Sequence, residues 1–146
     1  MAETTYESQI RSIPSDAHTV YSVLSRMDSL NRVKDLMPKD KIQEMEIDGD
    51  SIRMKVDGLA QKITIRIVER KDDDTVKMAS ENSPIPLTFW IQLKQVNELD
   101  TRIRLTLRTE LPFMLKMMLD SKLQDGINQA ADMLTRFPYQ QWAAES

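Results

Sequence analysis

The residue types that most often carry out chemistry are scarce in this sequence. Cysteine is absent and histidine occurs once, as His18, which excludes a thiol nucleophile, a disulfide and a metal site built on cysteine or paired histidines. His18 falls in the first turn of a predicted helix, so we expect its side chain to be exposed. The run Asp72-Asp73-Asp74 lacks the spacing and the glycine of a calcium-binding loop and predicts a turn. We therefore expect no catalytic residue set, no metal and no cofactor.

The charge balance and the composition narrow the class of protein further. The 146 residues include 20 Lys and Arg against 23 Asp and Glu, a formal net charge of −3, which argues against a nucleic-acid partner. The chain is 40% hydrophobic and 29% charged, as in soluble globular proteins. No apolar run approaches the ~20 residues that span a bilayer. We expect one domain over residues 1–146, a cytoplasmic location and no stable membrane insertion.

A basic row is the most conspicuous charged feature. Arg102, Arg104 and Arg108 alternate with apolar residues and share the polar face of one predicted strand. An anionic partner would bind such a row. A solvated face, paired with Glu and Asp of a neighbouring strand, is the interpretation that we favour.

Most of the chain alternates between apolar and polar residues, which is typical of half-buried strands. Seven segments follow this pattern, joined by short polar turns, and predict an antiparallel meander with one buried face. These segments are residues 4–13, 41–47, 51–56, 59–69, 76–81, 87–96 and 101–110.

Helical spacing replaces the alternation in two regions. Apolar residues recur every three to four positions from Ala17 to Leu30, and a short second helix is predicted before Pro38. After Pro112 a long apolar stripe runs to Phe137. Only helices remain to cover the buried face of the sheet, and the long C-terminal helix is the natural element to do so. The predicted class is α+β.

The opening segment Ile13 to Ser25, with Pro14-Ser15-Asp16 before the helix, resembles the start of START-like helix-grip proteins, also called SRPBCC. Met27 to Pro38 and the order of all elements are also similar, most of all to small bacterial members. The superfamily includes lipid-transfer domains, pollen-allergen and pathogenesis-related proteins, and polyketide cyclases. The resemblance implies a helix-grip fold: a curved, seven-stranded antiparallel sheet wrapped around the C-terminal helix, with two short helices after the first strand. It also implies a deep cavity for hydrophobic molecules.

Two features depart from particular branches of that superfamily. The glycine-rich loop of the plant allergens is missing, since only Gly49 and Gly58 occur in the corresponding region. The cysteine and paired histidines of the ring-hydroxylase members are missing too. The activities of those branches are therefore not carried over.

Nine residues on the inward faces are the candidate ligand contacts. Methionine adapts its shape to varied apolar ligands, although it also fills gaps in ordinary cores. Inward hydroxyl and amide groups would anchor a polar end of the ligand, or else bond to backbone at strand ends. The candidates are Tyr6, Ser8, Met54, Gln61, Met78, Ser80, Phe89, Met118 and Met133.

The function that we expect is binding or transport of a lipid, sterol or polyketide-like molecule in that cavity. A cyclase- or dehydratase-like enzyme is the first alternative, ranked lower because few acid–base groups face inward. A protein-interaction module, such as a chaperone partner, is the second. An exposed patch near Trp90 or the tail from Pro138 to Trp142 would favour it, unless Tyr139 and Trp142 fold back as a hydrophobic plug. Monomer and homodimer are both compatible with the sequence.

Overall fold

The computed structural model describes residues 2–26, 43–55, 62–81, 83 and 85–144. Eight strands and three helices occupy these ranges. The strands are β1 (Ala2–Glu7), β2 (Arg11–Ile13), β3 (Gln43–Asp48), β4 (Ser51–Lys55), β5 (Ile63–Lys71), β6 (Thr75–Glu81), β7 (Leu87–Asn97) and β8 (Asp100–Leu111). The helices are α1 (Ala17–Leu24), α2 (Phe113–Leu134) and α3 (Tyr139–Ala144).

All strands belong to one curved antiparallel sheet with the order β1-β8-β7-β6-β5-β4-β3, and β2 also pairs with β8. The predicted α+β helix-grip architecture, with a long C-terminal helix against the sheet, is confirmed. The first predicted strand is divided into β1 and β2, which raises the strand count from seven to eight. The predicted second short helix lies outside the described residues.

Ser8 divides the first strand. Its N–H donates to the carbonyl oxygen of Leu105 at 2.8 Å, while its own Oγ accepts from the N–H of Leu105 at 2.9 Å. The hydroxyl thus takes the place of a backbone carbonyl in the ladder, and the chain leaves the regular register. Unbroken alternation over residues 4–13 predicts that Ile10 shares the inward face of Tyr6. This prediction is wrong, because Ile10 is 61% exposed and Ile13 is buried instead.

The inner face of the sheet, which carries the core, is arranged in rows of directly opposed residues. Two rows toward the α1 end are fully buried, and we call them the packed rows: Leu105, Ile91 and Val76 form one, Ile103 and Leu93 the other. Together with α1, α3 and the end of α2 they form a solid hydrophobic core. Side chains packed in this way leave little space between them.

Helix α2 runs alongside β1 and β2 and is attached to them at regular intervals. Asp120 accepts from Tyr6, Gln124 donates to the carbonyl oxygen of Glu7, and Asn128 accepts from the N–H of Gln9. An ion pair between Arg11 and Asp132 continues the series at 2.7 Å. The last turns of α2 therefore lie over the packed rows, and its first turns lie toward the opposite end of the sheet.

Candidate functional site

The candidate site is the part of the inner face beyond the packed rows. The next row places Leu107 opposite Tyr6 and Phe89, and Phe89 opposite Met78. The row after it includes Ser80 opposite Ile65. Five residues of these two rows are partly exposed, and we refer to these five residues as the half-buried rows. They are Leu107, Phe89, Met78, Ser80 and Ile65.

Burial is less complete at Leu107, Phe89 and Met78 than in the packed rows, although Tyr6, Ile67 and Thr109 on the same face remain buried. Leu105 is 0% exposed, whereas Leu107, two residues later on the same strand and the same face, is only partly buried. Helix α2 shows the same change along its length, because Ile127, Ala131 and Leu134 are buried while its earlier apolar residues are not. The half-buried rows and the first half of α2 thus present apolar side chains that the chain itself does not fully cover.

The edge of this region carries a polar group. The hydroxyl of Tyr6 donates to Oδ1 of Asp120 at 2.7 Å, joining β1 to α2. Burial, the hydrogen bond to Asp120 and the charge of that carboxylate raise the pKa of Tyr6 to about 12. Thr4, which precedes Tyr6 on the same face, has a buried Oγ1 with no hydrogen-bond partner among the described residues. This edge of the inner face thus holds a buried, unpaired hydroxyl two residues before the phenol–carboxylate pair.

Alkaline pH is expected to weaken the fold in part through Tyr6. The folded state holds the phenol proton more tightly than the unfolded chain, whose tyrosines titrate near 10.0. The contribution of Tyr6 is therefore complete below about pH 10 and is lost as the pH rises through about 12. Urea unfolding between about pH 9 and about pH 12 tests this. The free energy of unfolding should fall less steeply in Tyr6→Phe than in the wild type, and equal slopes would contradict the assignment.

Two of the polar residues predicted to contact a ligand, Ser8 and Ser80, form hydrogen bonds with the backbone instead. Ser8 is buried, and its hydroxyl donates to the carbonyl oxygen of Gln9 besides accepting from Leu105. Ser80 is half-buried, and its Oγ accepts from the N–H of Leu87 at 2.9 Å. Ser80 lies within the half-buried rows and Ser8 beside the packed ones.

The predicted methionine contacts divide between different environments. Met78, Met133 and Phe89 pack partly buried against the core. The expectation that Met118 points inward is wrong: it is 67% exposed on the outer side of α2 with Phe113, Met114 and Met117. The helical phase explains this, because Leu115 and Leu119 occupy the inner side of the same two turns. Gln61 and the side chain of Met54 lie outside the described residues.

The opposite, outer face of the sheet is charged. Arg102 is paired with Asp100 at 3.0 Å, and Arg104 with Glu7 of the neighbouring strand at 3.2 Å. The predicted pairing with a carboxylate of a neighbouring strand is confirmed for Arg104, whereas Arg102 pairs with a carboxylate of its own strand. The third, Arg108, lies over the ring of Trp90 at 4.9 Å from its centroid. Trp90 faces outward as predicted and is partly covered by a cation.

His18 and the aspartate run lie together at one end of the molecule. His18 is exposed as predicted, and its Nδ1 lies 3.0 Å from Oδ1 of Asp73, a neighbour that the sequence did not reveal. The predicted turn is confirmed, with Asp73 at a positive φ of 59°. Burial, together with the hydrogen bond to Asp72, raises the pKa of Tyr21.

The tail after α2 folds back onto the molecule, which is the second of the two alternatives left open for it. Tyr139 is buried and donates to the carbonyl oxygen of Leu134, and the rings of Phe137 and Trp142 have centroids 4.9 Å apart. Helix α3 packs against α1 and closes the end of the packed rows. This aromatic group is consequently part of the core rather than an exposed interaction patch.

Neither a metal cluster nor a membrane-crossing helix is seen within the described ranges. Over residues 2–26, 43–55, 62–81, 83 and 85–144, no three or more His, Asp or Glu side chains converge to hold a metal ion. In the same ranges, no helix has both the length and the apolar character required to cross a bilayer.

Comparison with solved structures identifies the class of fold. Norcoclaurine synthase from Thalictrum flavum, solved in complex with dopamine and hydroxybenzaldehyde, superposes with a TM-score of 0.73 at 12% identity, over 92% of this chain and 86% of that one. A protein from Thermus thermophilus gives 0.65 at 16% identity, over 90% and 94%. A protein from Thermobifida fusca also gives 0.65, at 12% identity over 94% and 93%.

These proteins share the helix-grip fold with this chain. No family model and no curated protein matches the sequence. At such identities the likeness concerns the fold, and function has to be argued from the site itself.

Two residues of the candidate site, Asp120 and Thr4, were not predicted. Asp120 lies 114 positions from Tyr6 in the chain, and its position on the polar flank of a helical stripe carries no signal of that contact. Thr4 alternates with Tyr6 on the inward face and was detectable in principle, because it follows the same period of two.

Proposed function

We propose that the protein binds, and by doing so carries, a hydrophobic small molecule between the half-buried rows and the first half of α2. The observation that carries the proposal is the partial exposure of three neighbouring apolar side chains, Leu107, Phe89 and Met78, on an inner face that is otherwise largely buried. Covering accessible apolar area with a ligand contributes about 25 cal/mol per Å² to the free energy of binding. We place the chain, on this view, among the ligand-binding members of the helix-grip superfamily.

The proposed ligand is amphiphilic, with one hydrogen-bonding end. The unpartnered Oγ1 of Thr4 offers both a donor and an acceptor at the edge of the apolar region. Pairing it with a hydroxyl or a carbonyl of the ligand would remove the cost of a buried, unsatisfied group, about 1–3 kcal/mol. Sterols, fatty alcohols and polyketide-like molecules all combine such a group with an apolar body.

Catalysis is the second candidate, and the Tyr6–Asp120 pair favours it. A phenol held 2.7 Å from a carboxylate can transfer a proton to or from a bound substrate. With its pKa raised to about 12, the phenol is protonated at neutral pH but is a weaker acid than a free tyrosine, so its role in such an enzyme would be to orient a substrate by hydrogen bonding. Turnover of a polyketide-like substrate that is lost in Tyr6→Phe, with binding retained, would establish an enzyme.

Native mass spectrometry of freshly purified protein tests the proposed binding. We expect a fraction of the protein to carry a small molecule that organic solvent extracts, and the extracted protein to rebind a neutral probe such as N-phenyl-1-naphthylamine. Thr4→Val keeps the shape of the side chain and removes its hydroxyl, so it should weaken rebinding of a fatty alcohol more than that of the probe. Protein that is free of ligand and binds neither compound would refute the proposal.

A further inference from the structure

A second concave surface lies on the outer face of the sheet, separate from the proposed inner site. It is a groove of about 530 Å³ over β7 and β8, with Gln92, Lys94 and Val96 on one strand and Arg102 and Arg104 on the other. Ile10, displaced outward by the break between β1 and β2, forms a further wall. None of its lining residues is acidic.

The charges in this groove are arranged unfavourably for the protein alone. Lys94 and Arg102 are directly opposed across β7 and β8, and like charges in that position repel. Arg104 follows Arg102 on the same face and lies opposite Gln92. Three cationic side chains therefore converge on one shallow cavity.

The counter-charges come from residues that do not line the groove. Asp100 accepts two hydrogen bonds from Arg102, and Glu7 pairs with Arg104, but both arginines are more than 40% exposed, so their guanidinium groups remain accessible to a further anion. Lys94 forms no ion pair with the part of the chain that the structure describes. An anion entering the groove would thus meet one free ammonium and two guanidinium groups that can exchange partners.

Apolar walls flank these cations. Ile10 is 61% exposed and Val96 is 49% exposed, and both line the groove. A purely inorganic anion would leave these two side chains uncovered. A ligand that combines an anionic head with a short apolar portion would cover them while neutralising the cations.

We propose that this outer groove is a second binding site, for the carboxylate or phosphate group of a small anionic amphiphile. The head lies between Lys94, Arg102 and Arg104, and the apolar portion lies along Ile10 and Val96. This site lies on the outer face of the sheet, so the proposal does not depend on the function proposed for the inner face.

A titration followed by NMR of the backbone amides tests the second site. The probes are decanoate, below its micelle concentration, the uncharged decanol, and inorganic phosphate. We expect decanoate to shift the amides of Lys94, Val96 and Arg102, phosphate to shift them only at much higher concentration, and decanol to leave them unchanged. Decanoate signals confined to the inner-face residues Phe89 and Leu107 would overturn the proposal.

A double variant supplies the control. Lys94→Gln with Arg102→Gln removes two exposed cations and should weaken decanoate binding at the groove at least tenfold, with no loss in the thermal midpoint. Lys77→Gln, an outer-face cation beside Trp90 and outside the groove, should bind decanoate as the wild type does. Unchanged affinity in the double variant, or an equal loss in Lys77→Gln, would overturn the proposal. Phosphate binding as tightly as decanoate would overturn the amphiphile as the ligand.

Discussion

Replacing Leu105 by alanine is expected to lower the free energy of unfolding by about 3–5 kcal/mol. The side chain is 0% exposed and lies in a packed row opposite Ile91. Its removal leaves a cavity that the surrounding solid core cannot refill, so the cavity cost adds to the lost transfer free energy. Urea unfolding at neutral pH measures the effect.

Leu107→Ala is the matched control, with the same substitution two residues further along the same face. Because Leu107 is only partly buried, we expect a loss of about 1 kcal/mol, the fraction of its transfer free energy that the fold retains. Equal losses in the two variants would show that the half-buried rows are packed as tightly as the others, against the proposed ligand site.

The second large effect is on binding. Leu107→Trp is expected to reduce the affinity for the neutral probe at least about tenfold, equivalent to about 1.4 kcal/mol, because the indole would occupy space that the ligand uses. The free energy of unfolding should change by less than about 1 kcal/mol, since an open site accepts a larger side chain that a packed core rejects. Fluorescence titration and urea unfolding measure the two quantities.

Thr88→Trp separates this effect from a general effect of an added indole. Thr88 lies next to Phe89 on β7 but on the outer face, opposite Arg108. We expect the wild-type affinity for the neutral probe in this variant. A large loss of stability in Leu107→Trp, or retained affinity, would argue that no ligand occupies the inner face there.

The elements of the fold were predictable because their signals are local. Alternation over residues 87–96 and 101–110 corresponds closely to β7 (Leu87–Asn97) and β8 (Asp100–Leu111), and the apolar stripe after Pro112 corresponds to α2. Each of these patterns is set by the geometry of a single element. The outward position of Trp90 and the exposure of His18 follow from the same periodicities.

The candidate site was less predictable because it depends on which rows are covered. Leu105 and Leu107 have the same residue type in the same alternation, and the helices that pack over the sheet leave one buried and the other half-buried. The Tyr6–Asp120 contact joins residues from opposite ends of the chain. Such tertiary contacts leave no periodic trace in the sequence.

Two errors placed an apolar side chain on the wrong face of its element. Ile10 was expected inward because the alternation was extended through Ser8, whose hydroxyl interrupts the ladder. Met118 was expected inward, although Leu115 and Leu119 occupy that side of α2. Where apolar residues surround a helix turn on all sides, periodicity alone does not choose between them.

Methyl NMR during titration with N-phenyl-1-naphthylamine tests the central claim most directly. If the half-buried rows and the first half of α2 form the binding site, the methyl signals of Leu107, Met78 and Leu123 will shift, and those of Ile103 and Val76 in the packed rows will not. Saturable shifts confined to the first group are the predicted result. Shifts confined to the packed rows, or no shifts at any probe concentration, would contradict the account.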